Sequence, residues 1–280
     1  MTHLVTSMYF WAVVVAVFGI IIGSFLNVVI LRYNTGRGLN GRSGCLSCGK
    51  GLSWLELIPV ISFFVQKRRC VGCGSKVSWQ YPLVELATAS MFVAIFFRQI
   101  DLFFGHNPIE FFISFIFFAV IWSILIVIFV YDLRHKIIPN GLAYTFAILT
   151  LVYTLISIPI SNWFAMPQLL DVFAGIIFFI PFFLLWFVSG GRWIGLGDGK
   201  LALGIGWLLG FVTGVSSIFV AFWLGALVSI MLLILTRLKS RGSNITMKTE
   251  VPFAPFLIIG TLIGFFFEFD VIGISLLLSF

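Results

Sequence analysis

Long apolar runs dominate the chain, and short polar stretches separate them. Residues 9–31, 111–130 and 172–188 each approach the roughly 20 apolar residues that carry a helix across a bilayer. The runs are continuous and do not alternate as the strands of a membrane β-barrel do. Lipid offers the backbone no hydrogen-bond partners, so continuous runs of this length predict helices. About eight spans are predicted, at 8–31, 83–97, 111–131, 141–158, 170–188, 199–212, 214–235 and 253–268. The second is short. The sixth and seventh come from one uncharged stretch, 201–235, divided around Gly210 to Gly214. The expected fold is an all-α polytopic membrane protein of about eight transmembrane helices, with a small polar domain between the first two. This divides the chain into a first transmembrane helix at 1–34, a polar domain at 35–82 and a transmembrane core at 83–280.

Composition agrees. Of the 280 residues, 61% are hydrophobic and 10% charged, which excludes an ordinary soluble domain. No basic cluster precedes the first run, and no small-residue cleavage site follows it, so a retained helix is expected there and not a removed signal peptide. Trp11, Trp163, Trp193 and Tyr131 fall near predicted span ends, where aromatic belts form.

The net charge of +7 needs no nucleic-acid partner, because the distribution follows the positive-inside rule. The predicted spans put Arg32, Arg37, Arg42, Lys50, Lys67, Arg68, Arg69 and Lys76 on one side of the membrane. Arg134, Lys136, Arg192, Lys200, Arg237, Lys239, Arg241 and Lys248 join them, and Arg98 alone falls on the other side. The basic side is expected to be cytoplasmic.

All four cysteines lie in the polar domain, as Cys45-Leu46-Ser47-Cys48 and Cys70-Val71-Gly72-Cys73. Each pair opens the same phrase, C-x-x-C-G-x-x-x-S-W, ending at Ser53-Trp54 and Ser78-Trp79. Two such knuckles supply four thiolates for a tetrahedral zinc ion, or iron in its place. Four protein ligands leave no open position, so the metal would be structural. Two disulfides or four free thiols are the alternatives, and a reducing cytoplasm disfavours the disulfides. Lys67, Arg68 and Arg69 suit acidic lipid headgroups or plain solvation before nucleic acid.

Two acids stand at the edges of apolar runs. Asp132 lies in Tyr131-Asp132-Leu133-Arg134-His135-Lys136, where a helix-end carboxylate pairing with bases is the plainest reading. Asp198 is flanked by Gly195, Gly197 and Gly199, where an N-cap for the sixth span is the plainest reading. The glycines also permit unusual dihedrals and close backbone approach, here by an extended peptide. Two spans separate the aspartates, so both share the face of the cysteine domain. Glu85 is a third acid on that side, whereas Asp171, Glu268 and Asp270 fall on the other. His135 has no nucleophilic Ser or Cys motif beside it. Ionisable groups at a bilayer are functional candidates. Two carboxylates that meet can share a proton and activate water for peptide hydrolysis. A proton-coupled transporter with a regulatory zinc domain is the alternative from another class, favoured by broken helices and acids near the midplane. A membrane-anchored zinc ribbon that recruits a partner is a third.

At these residues the chain resembles the type IV prepilin peptidases, the G-x-G-D class of intramembrane aspartic proteases. The resemblance rests on Gly23-Ser24-Phe25-Leu26-Asn27-Val28-Val29, Leu57-Ile58-Pro59-Val60-Ile61-Ser62 and Tyr81-Pro82-Leu83-Val84-Glu85. It continues through Asp132-Leu133 with Ile138-Pro139-Asn140, then Gly195-x-Gly197-Asp198-x-Lys200, then Pro252-Phe253-Ala254-Pro255-Phe256. Leu46, where the family often has Pro, and Leu31-Arg32-Tyr33-Asn34, where it often has an Arg-Leu-Pro-like turn, are small departures. The resemblance implies catalysis by Asp132 and Asp198, with Gly195, Gly197, Gly199, Lys200 and Glu85 in support and Cys45, Cys48, Cys70 and Cys73 holding Zn2+. It implies removal of the basic leader of prepilins or pseudopilins after a Gly, at the cytoplasmic face of the bacterial inner membrane, in type IV pilus or type II secretion systems. Many members then methylate the new N-terminus with S-adenosylmethionine. No glycine-rich nucleotide fingerprint accompanies that second activity in this sequence.

Overall fold

The computed structural model describes residues 2–36, 38, 40–105, 107–238, 251–271 and 273, with side chains from residue 8 onward and, in the last long helix, up to 235. Of the basic residues sorted above, Arg37, Lys239, Arg241 and Lys248 lie outside the described residues, as does the side chain of Arg237.

The long elements are α1 (Thr2–Arg32), α3 (Gln80–Arg98), α5 (Pro108–His135), α6 (Asn140–Ser157), α7 (Gln168–Ser189) and α8 (Leu196–Leu238). Shorter helices are α2 (Ile61–Val65), α4 (Ile100–Phe104) and α9 (Ala254–Phe267). Among the described residues there is no strand, only two isolated bridges in the cysteine domain. Among the described residues, six helices are long and apolar enough to cross a membrane, and α9 is a shorter apolar helix. The predicted sixth and seventh spans form one element, α8, but it loses helical geometry at Gly210 (φ 74°, ψ −179°). Only glycine is at ease there.

The described chain forms two compact units, 1–127 and 128–280, and the boundary falls within α5. In the first unit, α1 lies directly on the backbone of α3. A Cβ at Gly19 would sit 2.7 Å from Ala89 Cα, and one at Gly23 would sit 2.6 Å from Glu85 Cα. This G-x-x-x-G spacing lets two helices meet backbone to backbone, as small residues do inside membranes. Buried Asn27 fastens the same pair. Its amide donates to Gly23 O (3.3 Å) and Tyr81 O (3.1 Å), and its Oδ1 accepts from Gln80 Nε2 (3.3 Å).

The second unit is built around α8. Before the break, Gly204 packs on Phe146 of α6 and Gly206 on Ala174 of α7. Beyond it, Ser217 and Ala221 pack on Gly260 of α9. Two backbone groups at the Gly210 break find partners within the unit. Asp171 Oδ1 accepts the Phe211 N–H at 2.8 Å, and Thr154 Oγ1 donates to the Trp207 carbonyl at 2.6 Å. Trp207 Nε1 in turn donates to Val172 O at 3.0 Å. Asp171, one of the competing acids, is thereby an N-terminal cap for the second half of α8.

Candidate functional site

Asp132 lies in the last turn of α5, and its own carbonyl takes the Lys136 N–H at 2.8 Å. Lys136 then turns to positive φ (54°) and ends the helix. Pro139, extended at ψ 117°, opens α6 one residue later. Asp132 is only 4% exposed. Its carboxylate takes the backbone N–H of Ala254, at the start of α9, while Oδ2 is buried and meets no hydrogen-bond partner among the described residues.

Asp198 occupies the first turn of α8 and is 8% exposed. It is not the N-cap the sequence suggested, because the helix has already begun at Leu196. Its N–H donates to Gly195 O (3.2 Å), and the Gly195 N–H reaches back to its carboxylate. An acid in a first turn is favoured by the helix dipole. Asp132 is close enough to act on Asp198 electrostatically, so the structure brings the two acids together within the second unit.

The glycines around Asp198 serve close packing and not unusual dihedrals, since none of Gly195, Gly197 and Gly199 has positive φ. A Cβ at Gly197 would lie 2.9 Å from Ile138 Cβ, and one at Gly199 3.2 Å from Phe182 Cβ. The space beside both is filled by the chain's own side chains. At Gly195 a Cβ would make ordinary contact with Asp198 Oδ2 at 3.5 Å.

The segments carrying the two acids are also joined. Ile138 covers Gly197, and Lys200 Nζ donates to Asn140 Oδ1 at 2.8 Å and sits 4.7 Å from the Tyr144 ring centroid. Asn140 and Tyr144 stand one turn apart on α6, on the same face. Tyr144 and the Ala254 amide were not foreseen. The helical spacing from Asn140 could have flagged the tyrosine. A main-chain donor leaves no trace in side-chain chemistry.

Glu85 belongs to the first unit and is 5% exposed. Its Oε2 accepts the Val60 N–H at 2.7 Å, and the Ser24 hydroxyl is a second partner. His135 packs on Tyr131 with the rings tilted, centroids 4.5 Å apart.

The cysteine phrase recurs in space as it does in sequence. Cys45 N–H bonds Lys50 O and Gly49 N–H bonds Cys45 O, both at 2.9 Å. Cys70 N–H to Ser75 O and Gly74 N–H to Cys70 O repeat the pattern at the same length. Gly49 and Gly74 share φ 71°, the turn each knuckle requires. The thiols are free, and all four sulfurs lie within 4.8 Å of one another, with Cys45 and Cys73 3.9 Å apart. Sulfurs around a tetrahedral zinc ion with bonds of ~2.3 Å stand about 3.8 Å apart, so the set fits the ion. The backbone at Cys48 and the Ser75 hydroxyl pull the Cys45 thiol down to about 5, and the Ser75 hydroxyl and backbone lower Cys73, whereas Cys48, lowered by the Lys50 backbone, is pushed up to about 11 by its hydrogen bond with Cys73 and by burial. Metal ligation needs thiolates.

Two family descriptions match the sequence: "Bacterial Peptidase A24 N-terminal domain" over residues 17–99 and "Type IV leader peptidase family" over 117–230. A Bacillus subtilis protein named prepilin leader peptidase/N-methyltransferase is 32% identical over 92% of this chain and 94% of its own length. The chain belongs to the type IV leader peptidase family. The first match covers the four cysteines and the second covers both aspartates. A Myxococcus xanthus relative of the same name is 32% identical over 84% of this chain and 68% of its own. An Escherichia coli "Type 4 prepilin-like proteins leader peptide-processing enzyme" is 38% identical over 29% of this chain and 37% of its own length. No solved structure matches this family member.

Proposed function

We propose that this chain is an intramembrane aspartic endopeptidase that removes the basic leader from prepilins or pseudopilins after a Gly. The reaction takes place at the cytoplasmic face of the bacterial inner membrane. The observation that carries this reading is the buried, unpartnered Oδ2 of Asp132 beside a second buried acid, Asp198. The sorting of lysines and arginines supports the sidedness, because a basic leader and the basic loops would share one face.

The two carboxylates hold one proton between them. The ionised member takes a proton from water as the water oxygen attacks the scissile carbonyl carbon. The protonated member hydrogen-bonds the carbonyl oxygen and stabilises the tetrahedral intermediate. The proton then passes to the departing amine, the C–N bond breaks, and the dyad is again singly protonated. The titration belongs to the pair. The Ala254 amide orients Asp132, and the Ile138–Gly197 and Asn140–Lys200 contacts keep the two acid-bearing turns in register. Cys45, Cys48, Cys70 and Cys73 would hold Zn2+, which supplies folding energy to a small polar domain and takes no part in hydrolysis.

The broken helix at Gly210 is a feature that a proton-coupled transporter shares. Its acid, Asp171, is already committed to the Phe211 N–H. N-methyl transfer rests on the names of the relatives, and S-adenosylmethionine as its donor rests on the family resemblance alone. A cavity of about 150 Å³ between α7 and α8, lined by Phe178, Pro181, Phe182, Leu185, Phe219 and Phe222 among others, is apolar and does not suit a charged nucleoside.

The test is incubation of the purified full-length protein with a prepilin in proteoliposomes. Cleavage after the Gly, lost in Asp132→Ala and in Asp198→Ala, is expected. Cleavage that persists in either folded variant sinks the assignment.

A further inference from the structure

The polar domain carries an apolar surface that neither the cysteines nor the dyad uses. Trp54 is 73% exposed, Ile61 60%, Phe64 57% and Val65 74%. The 3-10 turn at Leu55–Leu57 packs on α2, and the Phe64 ring lies 6.3 Å from that of Trp79. These side chains therefore gather around one short helix. A contiguous apolar surface on an otherwise polar module marks a contact with something apolar.

Its height is set by α3. The Val60 N–H, immediately before α2, donates to Glu85 Oε2 at 2.7 Å. Glu85 stands five residues beyond Gln80, the first residue of α3, and so about 7 Å along that helix. α3 is itself a candidate membrane span. The start of α2 is thus pinned beside a membrane helix within about two turns of its end. Val60 holds φ 61°, ψ −54°, which a β-branched residue adopts only when its surroundings enforce it.

Cations border the apolar face. Exposed Lys67 and Arg69 follow α2 directly, and the Arg69–Lys76 bridge sets a third cation alongside. The Arg68 guanidinium sits 4.8 Å from the Trp79 ring centroid. An apolar helical face, interfacial tryptophans and adjacent lysines and arginines are the parts of a segment that lies in a membrane surface.

We propose that residues 54–65 form an interfacial shelf. Trp54, Ile61, Phe64 and Val65 insert at the headgroup–acyl boundary of the bilayer that α1 and α3 cross. Lys67 and Arg69 meet the phosphates of anionic lipid there.

The test uses the full-length protein in nanodiscs of mixed phosphatidylglycerol and phosphatidylcholine, with Phe64→benzoylphenylalanine or Val65→benzoylphenylalanine. Val71→benzoylphenylalanine is the comparison, since Val71 is equally exposed (66%) but lies on the second cysteine knuckle. On irradiation, lipid-mass adducts are expected at 64 and 65 and not at 71. Phosphatidylglycerol should be over-represented among them, and the excess should vanish in Lys67→Gln/Arg69→Gln. Two independent labelling sites guard against one that misfolds. Absence of lipid adducts at both sites, equal labelling at 71, or crosslinks to an added prepilin or to a second copy of the chain overturns the proposal. Lipid adducts whose composition ignores the double substitution overturn its phosphate half.

Discussion

Lys200 Nζ and Asn140 Oδ1 are 2.8 Å apart, and this bond joins the segment that follows Asp132 to the helical turn that carries Asp198. Both acids depend on their backbones being in register, so the bond acts on geometry and not on the reacting atoms. A hydrogen bond of this kind is worth about 0.5–1.5 kcal/mol, or roughly 3–10-fold in rate if all of it is felt at the transition state. Lys200→Met should lower kcat by about that factor while leaving the protein folded. Asn140→Ala combined with it should cost little more, which a double-mutant cycle on prepilin cleavage would show.

The dyad itself predicts a larger loss. Asp132→Asn and Asp198→Asn keep shape and remove one acid each. Each should reduce cleavage by about 10²–10⁴-fold, the range for a positioned acid or base. Mass spectrometry of the pilin product, at matched membrane levels of enzyme, measures this. Near-normal turnover in either variant would contradict the mechanism.

Gly197→Ala tests the packing between the two motifs. The new Cβ would stand 2.9 Å from Ile138 Cβ, a branched carbon that cannot rotate away. Overpacking of this kind costs about 1–3 kcal/mol. Lower thermal stability is expected together with lower activity. Ile138→Ala keeps the opposing Cβ and should restore only part of it.

At the cysteine domain, Cys45→Ser or Cys73→Ser should drop bound zinc from about one ion per chain to well below it, as elemental analysis of purified protein would record. Acidification should release the metal from the wild-type domain, because protons compete for the thiolates.

The break in α8 carries its own test. Asp171→Ala removes the cap on Phe211 and should cost about 0.5–2 kcal/mol. Gly210→Ala should be worse, since alanine is strained at φ 74° and its Cβ would meet the Asp171 carboxylate at 2.7 Å. Thermal unfolding in detergent would rank the two, and a harmless Gly210→Ala would show that the break is dispensable.

The helices were legible because lipid demands continuous apolar stretches, and the division of 201–235 around Gly210 to Gly214 meets the break at Gly210, while Gly204, Gly206, Gly214 and Gly225 in the same stretch stay helical. Asp132 and Asp198 stood out for a related reason, since charge is rare in such a chain. The arrangement around them was harder to read. Asp198 looks like a cap in one dimension, yet the helix starts two residues earlier. Gly197 and Gly199 suggested room for a visitor, and in three dimensions Ile138 and Phe182 occupy it. The Ala254 amide was invisible, because every residue but proline has one. Glu85 was expected as a third polar group on the side of the two aspartates, and its partners, the Val60 amide and the Ser24 hydroxyl, appear only once α1, α2 and α3 are folded together.

The interruption of α8 has a consequence for how the protein meets membranes of different thickness. Asp171 and Thr154 satisfy the Phe211 N–H and the Trp207 carbonyl at the break from within the unit. The portion bearing Asp198 takes its tilt from α6 and α7, whereas the portion beyond Gly210 rests on α7 and α9 and ends in a largely lipid-accessible stretch. A thicker or thinner bilayer can then be accommodated by leaning the far portion alone. Hydrophobic mismatch is then absorbed on one side of the Gly210 break, and the carboxylates on the other side keep their spacing.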